Sequence, residues 1–160
     1  MKDLNLTLHI SVCEYEDLSV EDRELVDAAK QMVTHSYSPY SHFQVGAALR
    51  LADGRIHCGA NQENAAYPSG LCAERTALFA ANALYPDLAV KTLAIAAYTN
   101  GAFTEIPTAP CGGCRQVMLE TEDRFKQPMK IILYGSKQIY VINSAAELMP
   151  LTFVKDDLQN

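Results

Sequence analysis

The sequence predicts an α/β fold, a layered domain built on a mixed sheet. Three features carry that reading. Strand-like runs alternate with segments at helical spacing along the chain. One run, "AVKTLAIAAY" at 89–98, is almost continuously apolar, as an interior strand covered on both faces must be. Around the turn pair Asp53-Gly54 the chain reads as a hairpin, which puts an antiparallel pair into the sheet.

In chain order, Leu4, Leu6, Leu8, Ile10 and Val12 alternate with Asn5, Thr7, His9 and Ser11, so a half-buried strand is expected over 4–12. Ser19 with Asp22 three residues on reads as a helix N-cap, and Leu25, Val26, Ala29, Met32 and Val33 follow at helical spacing. That helix should fail near "SYSPY", because Pro39 disfavours a helical residue before it. Phe43, Val45, Ala47 and Leu49 alternate as the first hairpin strand, and "RIHCGAN" returns as the second. A loop with Pro68 and Gly70 leads into the helix of "CAERTALFAA". Beyond the interior strand and a loop with Pro107 and Pro110, another helix is expected over roughly 112–124. "MKIILYG" and "KQIYVI" read as two strands around Gly135-Ser136, and Ser144 with Glu147 as a capping box for a short last helix.

A chain of 160 residues suits one domain, 1–160, with a sizeable core. Its net charge of -6 and the lack of any basic run argue against the nucleic-acid backbone as a partner, since phosphate binding needs clustered Lys and Arg. No segment approaches the roughly 18 to 20 apolar residues that cross a bilayer, so no membrane partner is expected. The N-terminus lacks the apolar run of a signal peptide, which makes cytoplasmic residence the expectation. Five cysteines, an odd number without a secretion signal, favour metal binding or thiol chemistry over a disulfide framework.

"PCGGC" places Cys111 and Cys114 three apart at a predicted helix start. Alone, that spacing suits half a zinc site, a redox pair or two bystanders equally. Cys72 also opens a helix. If the two helix starts face one another, three soft thiolates converge, a set that suits zinc. A structural zinc would be closed by a fourth protein ligand, whereas a catalytic one leaves that place to water. No fourth Cys or His lies near either motif, with Cys58 and His57 of the hairpin as the alternatives; Cys13 and Cys58 read as small buried side chains. Three thiolates make a formally negative centre, which the helix N-termini and Arg75 are suited to offset. Glu74 is either an ordinary first-turn acid or the general base for the metal's water. Residues two apart do not share a helix face, so Cys72 and Glu74 reach one point only if Cys72 lies at the helix edge in non-helical geometry.

"CAE" followed by "PCGGC" resembles the zinc nucleobase-deaminase signature in its three-cysteine form, a class whose glutamate is the general acid and base and not a zinc ligand. "YSPYSHFQVGAAL", "NQENAAY", "CAERTALFAA" and "APCGGCRQ" further resemble the small, homotetrameric type of cytidine deaminase, over roughly residues 20–155. The resemblance implies a three-layer α/β/α sandwich on a central mixed sheet of about five strands, with residues 1–18 as an extension and 4–12 as an added edge strand or subunit contact. It implies hydrolytic deamination of cytidine and deoxycytidine, with one zinc per chain held by Cys72, Cys111 and Cys114 and with Glu74 as proton shuttle for the zinc-held hydroxide that attacks C4. By the same resemblance Arg75 offsets thiolate charge, Phe43 packs against the pyrimidine, Asn61 and Glu63 bond the ribose hydroxyls, and the Ala73 amide donates to the base carbonyl. The family often has "PGAF" near its C-terminus; here it is "PLTF", and Phe153 matches an aromatic that enters a neighbouring subunit's site. The rival readings are a related deaminase acting on a nucleoside antibiotic or another pyrimidine, a thiol-disulfide oxidoreductase using Cys111 and Cys114, and a zinc-stabilised binding protein without catalysis.

Overall fold

A computed structural model describes residues 1–158; Gln159 and Asn160, at the end of the expected 1–160 domain, lie outside them. The elements are β1 (Ser11–Cys13), α1 (Val20–Met32), β2 (Gln44–Leu51), β3 (Ile56–Ala60), α2 (Ala73–Leu84), β4 (Val90–Thr99), β5 (Ala102–Phe103), α3 (Gly112–Phe125), β6 (Lys130–Tyr134) and β7 (Ile139–Ile142). The sheet order is β1-β7-β6-β4-β2-β3, with the short β5 beside β4. β4 and β6 run parallel and the other neighbours antiparallel, so the sheet is mixed. The parallel pair needs a crossover, and α3 provides it.

Strand alternation sorts the core into two layers. Ala48, Ala94, Ala96 and Ile132 meet Leu25, Val26 and Ala29 of α1 on one face. Their strand neighbours Ala47, Leu49, Leu93, Ile95, Ile131 and Leu133 meet Ala77, Leu78, Cys114 and Met118 of α2 and α3 on the other. Helices on both faces make the three-layer α/β/α sandwich that was expected, and β4 is its interior strand. The Ser19 hydroxyl caps α1, accepting from the Asp22 amide at 3.1 Å. α1 ends at Met32 and relaxes through a 3-10 turn, Val33–His35, before the proline loop. Among the described residues no helix is long and apolar enough to cross a membrane.

Two expectations need correction. Of the strand expected over 4–12, only Ser11–Cys13 forms, on the β7 edge. Ser11 faces Val141 in that antiparallel register, so Ile10 would face Ile142, where β7 ends. Earlier residues have no strand beside them among the described residues, and Leu4, Leu6, Leu8 and Ile10 are exposed, Leu4 at 76%. The two-residue period is real, but a strand also needs backbone partners. The short helix expected from Ser144 is a single 3-10 turn, Ala145–Leu148, without a reciprocal capping box, and a second 3-10 turn, Lys155–Leu158, follows it. Ser144 Oγ accepts from the Ala146 amide, and Glu147 accepts from the Asn143 amide rather than from Ser144.

The Ser144 hydroxyl is also drawn to Glu122, a buried α3 carboxylate that sequence reasoning did not single out. Glu122 accepts from Ser144 Oγ at 2.8 Å and from the Met129 and Ala145 amides at 2.7 and 2.8 Å. It thereby ties α3 to the chain on either side of β6 and β7. Glu122→Ala leaves two buried amides unpaired, and unfolding by urea should show stability lower by ~3 kcal/mol. Glu122→Gln, which keeps one acceptor oxygen, should lose less.

Candidate active site

The helices α2 and α3 lie on the same face of the sheet and pack against each other, so their N-termini come together. Cys72 is the N-cap of α2 (φ -70°, ψ 155°) and Cys111 the N-cap of α3 (φ -66°, ψ 163°), both extended. The non-helical geometry required of Cys72 is therefore present. Neither side chain caps its own helix by a hydrogen bond. Cys114 lies in the first turn of α3, buried. The Sγ atoms of Cys72 and Cys111 are 3.7 Å apart and those of Cys111 and Cys114 3.4 Å, and all three lie within 4.8 Å of one another. A redox pair needs two sulfurs; the third thiol at the same point suits a metal ion instead.

The surroundings fit a cation held by thiolates. In the protonated trio a hydrogen bond from Cys114 and then one from Arg75 hold the Cys72 thiol well below its ordinary range, while the hydrogen bond to Cys72 and burial push the Cys114 thiol up. A dication at the centre would release all three protons. Arg75 Nη2 is 3.5 Å from Cys72 Sγ, and its buried Nε has no partner among the described residues. A guanidinium turned onto sulfur fits a centre with surplus negative charge. His57 and Cys58 do not join the cluster. Cys13 and Cys58 are half-buried rather than fully buried, packed against the α1-side core.

Glu74 is 5% exposed, one residue inside α2 from Ala73. Burial raises its carboxyl above the usual range; the Cys72 charge adds to the rise and a hydrogen bond from Cys114 opposes it. A carboxyl held above its ordinary range takes up a proton more readily than a solvated one, as a general base must. Gly59 on β3 sets the helix start: a Cβ there would stand 2.6 Å from the Ala77 amide nitrogen and 2.9 Å from the Ala73 carbonyl oxygen. Only a residue without Cβ lets α2 approach so closely. Arg115 holds the other ligand loop, donating to the Pro110 and Leu148 carbonyls at 2.8 Å each. Sequence reasoning missed this clamp, whose single trace is its place in "CGGCRQ".

Beside Cys72 and Arg75 opens a cleft of about 310 Å³ lined also by Asn61, Glu63, Tyr67 and Leu71. Asn61 and Glu63 thus share a cleft with Cys72, one of the three thiols. Tyr67 and Leu71 were not singled out, although "NQENAAY" contains the first. Ala73, fully buried, presents the first amide of α2, which has no intrahelical partner. Phe43 is half-buried and outside the cleft lining, but its carbonyl accepts from Asn61 Nδ2 at 2.9 Å. Phe153 is not brought to the site of its own chain; it is 55% exposed, its carbonyl held by Gln116 of α3. Roomier clefts lie elsewhere, one of about 720 Å³ along α1, but none of those contains the thiols.

An α/β/α domain that joins a three-sulfur metal centre to a buried glutamate at paired helix starts defines a metal-dependent hydrolytic class. Comparison with known proteins places the chain within that class. Residues 19–126 match the family described as the cytidine and deoxycytidylate deaminase zinc-binding region. The chain belongs to this zinc-binding deaminase family. It is 41% identical to a cytidine deaminase of Halalkalibacterium halodurans over 87% of this chain and 99% of that one, and 38% identical to one from Sporosarcina psychrophila over 84% and 93%. The crystal structure of a cytidine deaminase from Burkholderia pseudomallei superposes with a TM-score of 0.68 at 41% identity, covering 81% of this chain and 97% of that one.

Proposed function

We propose that this protein catalyses the hydrolytic deamination of cytidine and deoxycytidine to uridine and deoxyuridine, releasing ammonia. The convergence of Cys72, Cys111 and Cys114 beside the buried Glu74 carries the reading, in a chain similar to named cytidine deaminases. The three thiolates would hold one zinc. When bound, zinc supplies the Lewis acidity that makes a water nucleophilic near neutral pH. Glu74 takes that water's proton, passes it to N3 of the base and then helps protonate the departing amine. Arg75 offsets charge on Cys72 through the contact at 3.5 Å. The Ala73 amide donates to the base carbonyl, and Phe43 packs against the pyrimidine ring. Asn61 and Glu63 bond the sugar hydroxyls from the wall of the cleft. The exposed Phe153 enters the cleft of a neighbouring subunit in a cytoplasmic homotetramer.

Metal analysis together with an ultraviolet assay tests this directly. About one zinc per chain is expected, on the three-ligand argument, and cytidine should lose its characteristic absorbance as uridine forms. Chelation should abolish turnover and added zinc restore it. A protein without zinc that reduces disulfides in a dithiol-dependent manner would overturn the proposal in favour of an oxidoreductase.

A further inference from the structure

The residues assigned to the sugar are themselves held by hydrogen bonds that determine what each can offer a ligand. Asn61 Oδ1 accepts from the Ser36 hydroxyl at 2.6 Å and from the Val45 amide at 2.8 Å. Asn61 Nδ2 donates one hydrogen to the Phe43 carbonyl at 2.9 Å. A carboxamide has two acceptor positions and two donor hydrogens. Both acceptor positions of Asn61 are filled, and one N–H remains for the cleft it lines. Glu63 is the complement. Its carboxylate accepts from the Ser41 hydroxyl and from the Tyr40 and Ser41 amides, the latter two at 2.9 and 3.3 Å. These donors, the Ser41 hydroxyl foremost, hold the carboxyl below its usual range and therefore ionised, a form that can only accept.

Both serines belong to the loop between α1 and β2. That loop is strapped to residues 61–63 by the Tyr37 amide on the Asn61 carbonyl and the Glu63 amide on the Tyr37 carbonyl, at 3.0 and 2.8 Å. Ser41 Oγ also accepts from the Phe43 amide at 3.0 Å, so one hydroxyl fixes Glu63 and the start of β2 together.

We propose that Ser36 and Ser41 are positioning residues that set the hydrogen-bond polarity of the sugar site: Ser36 holds Asn61 as a donor, Ser41 holds Glu63 as an acceptor, and the pair selects a substrate hydroxyl that accepts from one and donates to the other. The inference rests on the reading of the cleft as a nucleoside site. A single hydroxyl meets both demands. A substituent that only accepts leaves Glu63 unanswered, and one that only donates leaves Asn61 unanswered. Without the Ser36 hydroxyl, Asn61 loses one of the two anchors on its oxygen. It can then turn that oxygen toward the substrate and Glu63, where two acceptors oppose each other.

Steady-state kinetics of the zinc-loaded full chain test the idea with cytidine, 2′-deoxycytidine and 3′-deoxycytidine. Ser36→Ala and Ser41→Ala should each raise KM for cytidine roughly five-fold, the scale of one hydrogen bond, with kcat within about two-fold. Thr at either position should restore KM, and the penalty should vanish for the analogue that lacks the contacted hydroxyl. Unchanged KM in both alanine variants, or an equal penalty on all three substrates, overturns the positioning role. Asn61→Ala separates the two levels. If it raises KM while the serine variants do not, the positioning role alone fails; if it leaves KM unchanged, the nucleoside reading of the cleft fails and the proposal falls with it.

Discussion

Glu74→Gln is expected to keep its zinc and lose about a thousand-fold in kcat, the range in which a positioned general acid-base operates. Glutamine has nearly the shape of glutamate, so packing at a residue 5% exposed should survive. It cannot take up and return a proton. Burying a neutral amide is also less costly than burying a carboxylate, so the variant should unfold at or above the parent's temperature. That combination separates lost chemistry from lost structure. Metal analysis, a melting curve and the ultraviolet assay measure the three parts. Turnover within ten-fold of the parent would remove Glu74 from the proton path.

The second large effect comes from a residue that touches no ligand. Gly59→Ala drives a methyl to 2.6 Å from the Ala77 nitrogen and 3.0 Å from its Cα, both backbone, so no side chain can swing aside. The helix must retreat, and Cys72, Ala73 and Glu74 are its first residues. Overpacking of this kind costs about 1–3 kcal/mol. A displacement near 1 Å at a catalytic group lowers activity by about a hundred-fold. The variant should therefore fold with a lower melting temperature, bind zinc more weakly and show kcat/KM reduced by at least that hundred-fold. Parent-like kinetics would mean that the close approach of β3 does not fix the start of α2.

Much of this was legible in the sequence because local pattern and tertiary role agree there. Leu25, Val26 and Ala29 recur at helical spacing and are all buried, and the run 90–97 fills the interior strand. The cysteine motifs located the site because helix starts on one face of a sheet place their first residues together. Residues 4–10 misled because alternation reports which face is apolar, not whether a neighbouring strand exists, and β7 stops at Ile142. Glu122 carries no local signal, since its donors come from Met129, Ser144 and Ala145, beyond the helix. Gly59 gave no signal because its reason is a helix that begins 14 residues later (73 minus 59). The directionality of Asn61 and Glu63 was equally hidden, because it is set by serines 25 and 22 positions upstream.

The two N-cap cysteines have a further meaning for the chain as a polymer. Cys72 and Cys111 are 39 positions apart, and α2, β4 and β5 all lie between them. An ion gripping both closes that length into a ring. By the loop-entropy estimate for a covalent bridge of this span, closure withdraws about 4 kcal/mol of freedom from the unfolded ensemble, so long as the grip outlasts the opening event. One ion therefore serves two ends. The reagent that readies the water is also the rivet that keeps α2 and α3 from drifting apart, and a cell short of zinc would hold a protein both idle and easier to unravel.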